Sequence, residues 1–252
     1  MAPVARELAA GHGVLEPIQR ADSIAGQVEE LRGADKFLLT THENPDGDAL
    51  GSLLGMHGVL TQLGKDALMY LSPDEFPLPH EYRDMENRDI VGAPPADMDE
   101  RVAVFLDCGN IDRMPVDFLQ REGIHILNID HHHDNTRFGT ANLVDPGASC
   151  TAEIVWRLAR ELGAELTPRI AAALYVGLIT DTGRFMYENT TADAHTMAAE
   201  LIEAGVQPHE LYSRIYESLP LERITLLSRA LSTIRRFDGG AVTMLHLTAE
   251  DF

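Results

Sequence analysis

The chain has 252 residues, of which 44% are hydrophobic, enough to bury the core of one large domain or of a domain with a smaller companion, and this excludes disorder as its overall state. Its 40 aspartates and glutamates against 20 lysines and arginines give a formal charge of -20, which opposes tight sequence-independent binding along nucleic acid, so any anionic substrate should be short and held by metal ions. Cys108 and Cys150 are too few for a disulfide framework and stand in no CxxC spacing, and no apolar run approaches membrane-spanning length, so a cytoplasmic protein without membrane attachment is expected.

Residues 1–20 lack a long apolar core behind a basic start and read as a flexible tail. From Ile18 to Leu31 the apolar positions recur at helical spacing, with Gly33 as the stop. Phe37 to Thr41 is a buried-strand pattern. A polar turn from His42 to Asp48 follows, then a helix from Ala49 to Leu63. Ala67 to Leu71 resembles a second strand, and the proline-rich segment 73–100 an irregular excursion.

Val102 to Leu106 then runs apolar into Asp107, and His125 to Ile129 runs apolar into Asp130-His131-His132. Strands interleaved with helices imply an α/β fold with a mostly parallel sheet and flanking helices, whose ligands gather beyond the carboxyl ends of the strands. After Ser149, a candidate helix cap, the chain reads as largely helical through Arg236. Within it, Leu174 to Thr180 fits helix or buried strand, and Asp181 follows in either case.

The clusters at the strand ends carry the chemistry. His42, Asp46 and Asp48 lie within seven residues of a turn whose Pro45 and Gly47 let side chains converge, and one imidazole with several carboxylates suits a cation such as Mn²⁺. Taken alone, a solvated Asp-rich turn reads the same way. A carboxylate at Asp107, straight after an apolar strand, is costly unless paired or bound to a cation; capping a helix near Asn110 is the local alternative. Successive side chains alternate faces along a strand, so one of His131 and His132 can bind metal while the other faces substrate, with Asp130 orienting an imidazole and His133 exposed. Asp181 is again a carboxylate after an apolar run, among small residues. Two histidines and four aspartates divide into two incomplete coordination spheres that share Asp107.

The stretches His42-Glu43-Asn44-Pro45-Asp46-Gly47-Asp48-Ala49-Leu50-Gly51-Ser52, Leu106-Asp107, Asn128-Ile129-Asp130-His131-His132 and Thr180-Asp181-Thr182-Gly183 resemble the ordered motifs of the DHH phosphoesterase superfamily. Asn135 to Gly139, Ser149 to Ile154 and Phe185 to Thr191 are similar to its bifunctional oligoribonuclease and pAp phosphatase branch, over roughly residues 21 to 240. The resemblance implies one Mn²⁺ on His42, Asp46 and Asp107 and a second on Asp48, Asp107, His131 and Asp181, with Mg²⁺ or Co²⁺ as alternative ions. It also implies catalytic roles for His132 on the scissile phosphate and for Asp130 behind it.

Implied substrates are short oligoribonucleotides and 3'-phosphoadenosine 5'-phosphate (pAp), with no long nucleic acid and with a homodimer as an open alternative. The implied organisation is a tail over 1–20, a DHH catalytic domain over 21–205, a helical linker over 206–238 and, over 239–252, the beginning of a small DHHA1 domain. Of that second domain only Ala241 to Leu247 is expected here, as a first strand, and the family's Gly-Gly-Gly-His segment does not occur. Rival readings are a cyclic dinucleotide phosphodiesterase, a RecJ-like exonuclease, a family II pyrophosphatase and a non-catalytic nucleotide sensor; the last should have lost at least one ligand position, and none is lost.

Overall fold

A computed structural model describes residues 22–83, 85, 89–114, 116–121 and 123–252; the expected tail over 1–20 and the expected helix start at Ile18 lie outside them. Helix α1 (Ile24–Gly33) begins where the Ser23 hydroxyl accepts the Gly26 amide, and β1 (Lys36–Thr40) follows. The turn after β1 leads into α2 (Gly47–Gln62), capped by Asp46, whose Oδ1 accepts the amides of Asp48 at 3.0 Å and Ala49 at 3.1 Å.

Next come β2 (Asp66–Tyr70), a two-residue β3 (Ile90–Val91), β4 (Val102–Leu106), the single-turn α3 (Asp117–Gln120), β5 (Ile126–Asp130) and β6 (Ala141–Val144). The six strands pair in parallel throughout, in the order β3-β2-β1-β4-β5-β6. Chain order therefore reverses between β1 and β4, and the carboxyl ends of those two strands open the crevice where α/β sheets hold ligands. The α/β fold with a parallel sheet and flanking helices is thus present. Strands β3 and β6 had no separate signal, being two and four residues long.

Apolar runs without alternation are what a sheet covered on both sides requires. Leu38, Ala103, Phe105 and Ile126 meet Met98, Met114 and Leu119 on one face. On the other, α2 and α4 (Thr151–Leu162) pack on the sheet, and α5 (Pro168–Asp181) packs on α2. The ambiguous stretch 174–180 belongs to α5: buried from Ala173 to Ile179, this helix has no polar face to display a period.

Helices α2 and α5 approach backbone to backbone. A Cβ at Gly51 would lie 2.5 Å from the Ala173 carbonyl oxygen, and one at Gly177 would lie 2.8 Å from Asp48 Oδ1. Glycine at both places lets the end of α5, with Asp181, come alongside the start of α2, with Asp48. Helix α6 (Ala192–Glu203) packs on α5 and completes the layer.

The described residues form two compact units: one runs to Phe76 and from Asp89 to Val206, the other comprises Pro77 to Met85 and Gln207 to Phe252. The second holds α7 (Pro208–Tyr212), a π-helical turn over Ser213–Glu217 and α8 (Leu221–Ser232). An antiparallel pair, β7 (Arg235–Phe237) and β8 (Val242–Met244), ends it, so helix stops at Ser232 rather than at Arg236. No described helix is long and apolar enough to cross a membrane.

Candidate metal centre

His42, Asp46, Asp48, Asp107, His131, His132 and Asp181 come together at the carboxyl ends of the strands. His42 lies two residues beyond β1, Asp107 directly follows β4, Asp130 is the last residue of β5, and Asp181 is the last of α5. Asp107 adopts the left-handed conformation with φ 57°, which aspartate tolerates better than most residues. That turn of the backbone sits where the carboxylate leaves the strand, as strained residues at functional sites often do.

The Asp107 carboxylate lies between two histidines. Its Oδ2 is 3.7 Å from His42 Nε2 and its Oδ1 is 3.7 Å from His131 Nε2. His131 Nε2 in turn lies 3.9 Å from Asp48 Oδ2 and 3.7 Å from Asp181 Oδ2. Donor atoms of His42, Asp46 and Asp107 all fall within 4.8 Å of one another, as do those of Asp48, His131 and Asp181. Separations of 3.7–3.9 Å are too long for hydrogen bonds. They suit donors that share one cation, each reaching it at about 2.1 Å from a different side.

The electrostatics point the same way. Burial raises the Asp48 carboxyl well above its ordinary range, and the charges of Asp107 and Asp181 add to the rise. Asp181 is pushed up to about 6, by burial first and then by Asp107 and Asp46 against the opposing His131. Carboxylates that drive one another toward protonation need positive charge among them. The donor set, histidine nitrogen and carboxylate oxygen without thiolate, fits a borderline-hard divalent ion.

Several contacts to this cluster had no sequence signal. The amides of Thr151 and Ala152 donate to the two oxygens of Asp48 at 2.6 and 2.9 Å, and the Thr151 hydroxyl donates to Asp107 Oδ1 at 3.0 Å. Asp48 thereby occupies the N-terminus of α4, where the helix dipole favours an anion. This also corrects the expected Ser149 cap: α4 has Cys150 at its N-cap with no side-chain bond, and the Ser149 hydroxyl pairs with Thr191 instead. Asn189 donates to Asp181 Oδ2 at 3.1 Å and to the Ser149 carbonyl at 2.9 Å.

Around His42, Nδ1 lies 2.7 Å from the Glu43 carbonyl and 3.0 Å from the Arg113 guanidinium. The two neighbours ask for opposite tautomers. Ligation through Nε2 selects the one in which Nδ1–H donates to Glu43.

Asp130 is wholly buried and accepts from the His131 amide, from His132 Nδ1 at 2.8 Å and from Asn135. It orients His132, not the His131 that faces the carboxylates. His132 Nδ1 also lies 3.6 Å from Asp107 Oδ1, but its bond to Asp130 commits that atom. The same bond, with the Asp130 charge, raises His132 to about 9. His133 stands 87% exposed, outside the cluster. Burial raises the Cys108 thiol to about 12 and the Cys150 thiol well above its usual range, so neither is poised as a nucleophile.

Comparison with known proteins follows this geometry. Over 216 residues the chain is 38% identical to the bifunctional oligoribonuclease and PAP phosphatase NrnA of Thermus thermophilus, covering 83% of this chain and 62% of that one. The Bacillus subtilis protein of the same name is 29% identical over 190 residues, 73% of this chain and 58% of its own. The chain thus spans about three fifths of the length of these curated relatives.

Among solved structures, an exopolyphosphatase-related protein from Bacteroides fragilis superposes with a TM-score of 0.81 at 25% identity, over 90% of this chain and 70% of that one. A putative family II inorganic pyrophosphatase from Methanococcus jannaschii shares the fold, with a TM-score of 0.53 at 21% identity over 81% of this chain and 68% of its own. Residues 36–178, from β1 through most of α5, match the model of the N-terminal domain of the DHH family, and the chain belongs to that family.

Proposed function

We propose that the chain is a two-metal phosphoesterase that hydrolyses short oligoribonucleotides and pAp. The observation that carries this reading is the Asp107 carboxylate, whose two oxygens face two different histidines at 3.7 Å each. One ion is assigned to His42, Asp46 and Asp107, the other to Asp48, Asp107, His131 and Asp181, with Mn²⁺ as the expected metal. The names of the Thermus and Bacillus relatives support the substrate class. The formal charge of -20 supports short substrates over long ones. The break between Val206 and Gln207 supports the end of a catalytic domain near residue 205; beyond it we propose a helical linker over 206–238, within which β7 (Arg235–Phe237) falls, and the start of a second domain over 239–252.

Two divalent cations held by these residues would acidify water and polarise the phosphoryl oxygens. The protein's own groups do the rest. Asp107, fixed by the Thr151 hydroxyl, holds the two half-sites at a set spacing. Asp48, clamped by two helix-end amides, and Asp181, clamped by Asn189, cannot swing away when phosphate enters. His132 is held through Nδ1 by Asp130, and when doubly protonated it would offer its second N–H to charge building on the phosphoryl oxygens.

The test is release of mononucleotides from a two- to five-nucleotide RNA and of phosphate from pAp, with added Mn²⁺ and with excess chelator. Turnover of both substrates that chelator abolishes and Mn²⁺ restores is expected. Hydrolysis of inorganic pyrophosphate, with the nucleotides untouched, would contradict the substrate assignment.

A further inference from the structure

The loop after α5 carries a feature that the metal centre does not use. Gly183, Arg184 and Phe185 all adopt positive φ, at 54°, 63° and 64°, an arrangement that costs energy at the two non-glycine positions and persists only where the surroundings impose it. Those surroundings are visible. The amides of Met186 and Tyr187 both donate to the Thr182 carbonyl, the Phe185 amide donates to the Thr182 hydroxyl, and the Phe185 ring stacks on His195 of α6 at 5.0 Å. Asn189 closes the loop with its bonds to the carbonyl and carboxylate of Asp181. This segment is held firmly: it leaves from Asp181 and is tied back to it by Asn189.

What it holds outward is apolar. Met186 is 79% exposed and Tyr187 61% exposed. The Tyr187 ring rests on Gly183: a Cβ there would lie 2.5 Å from the ring's Cζ. One face of the ring therefore lies against backbone two residues from Asp181, while the residue as a whole stays 61% exposed. Exposed apolar side chains are common by themselves; a loop strained at two non-glycine positions and braced against Asp181 while presenting two neighbouring ones points to a ligand with a flat apolar surface next to a phosphate held at the centre.

We infer that Tyr187 is a stacking platform for the nucleobase attached to the phosphate held at the metal centre, with Met186 as its adaptable flank. A nucleobase fits because base–aromatic stacking is tolerant of base identity, as a substrate class of mixed short RNAs requires, and because a polarizable thioether packs favourably against ring edges. The inference rests on the phosphoesterase reading and gives it a base-recognition element within the catalytic unit.

The test is calorimetric binding of adenosine 5'-monophosphate and of ribose 5-phosphate to the Mn²⁺-loaded chain, with pAp hydrolysis followed in parallel. The two ligands share sugar and phosphate, so the ratio of their dissociation constants isolates the base. Stacking is expected to favour the nucleotide about five- to a hundredfold in the wild type. Tyr187→Ala should bring the ratio close to one while ribose 5-phosphate binds as before; Tyr187→Trp should keep the preference. An unchanged ratio in Tyr187→Ala, or no preference in the wild type, overturns the inference. Weakening of both ligands alike in Tyr187→Ala also overturns it, because the ring would then be bracing the loop. A wild type that binds with the preference yet hydrolyses nothing would defeat the phosphoesterase reading and leave the platform standing.

Discussion

Gly177→Ala probes the contact on which the spacing of the centre depends. An added Cβ would lie 2.7 Å from the Ala152 Cβ and 2.8 Å from Asp48 Oδ1, with the Asp48 Cα at 3.4 Å. None of these is the tip of a flexible side chain, because Ala152 is in α4 and Asp48 is fixed by the amides of Thr151 and Ala152. Ordinary contact begins at 3.4 Å, so the 2.7 Å approach is relieved only if α2, α4 and α5 part by about 0.7 Å or more. Overpacking of this kind costs about 1–3 kcal/mol, against about 1 kcal/mol gained from replacing glycine within a helix. The net loss, about 1 kcal/mol, should lower Tm by about 2–4 °C for a domain of this size.

The larger effect should fall on metal. Displacing a ligand's anchoring shell typically costs about 10–100-fold in affinity, so Mn²⁺ binding by calorimetry should weaken in that range. Gly33→Ala, at a helix position with nothing within 4 Å of the new Cβ, is the control and should leave both quantities at or above wild type. If Gly177→Ala keeps wild-type Tm and wild-type Mn²⁺ affinity, the helix approach does not set the geometry of Asp48, and the reasoning fails.

His132→Ala should lower kcat by about 10²–10³ while both ions remain bound, because His132 is committed to Asp130 rather than to the carboxylate cluster; loss of metal in that variant would mean that His131 and His132 exchange roles. Far from the site, Asp97 is held down to about 2 by hydrogen bonds from Arg101 and then Lys36. A carboxyl whose folded pKa is depressed stabilises the protein above its unfolded value near 3.8, and that stability drains away as pH falls toward 2. Urea unfolding of Asp97→Asn should accordingly lose less stability between pH 5 and about 2 than the wild type does; equal acid sensitivity would exclude Asp97 from that limb.

Much of the centre was legible because its chemistry contradicts its surroundings. A charge straight after Val102 to Leu106, or after His125 to Ile129, makes no sense in a buried parallel sheet without a partner, and each such charge marked a strand end that belongs to the histidine and carboxylate cluster. The parallel sheet followed from the alternation of such runs with helical segments, and the runs are apolar throughout because the strands are covered on both faces. The clamps were not legible. The bonds from Thr151 and Ala152 to Asp48 cross more than a hundred residues and use backbone N–H groups that every residue possesses. Asp48, reached through space, stands where a local Ser149 cap was expected. Helix α5 was ambiguous for a related reason: pressed between neighbours, it keeps no polar stripe, and its period vanishes into uniform burial.

The central claim is that one carboxylate joins two ions, and elemental analysis of purified wild type, Asp46→Ala and Asp107→Ala tests it most directly. Asp46 belongs only to the group with His42, whereas Asp107 presents one oxygen to His42 and the other to His131. The account predicts two equivalents of divalent metal in the wild type, about one in Asp46→Ala and close to none in Asp107→Ala. Wild-type metal content in Asp107→Ala would contradict it.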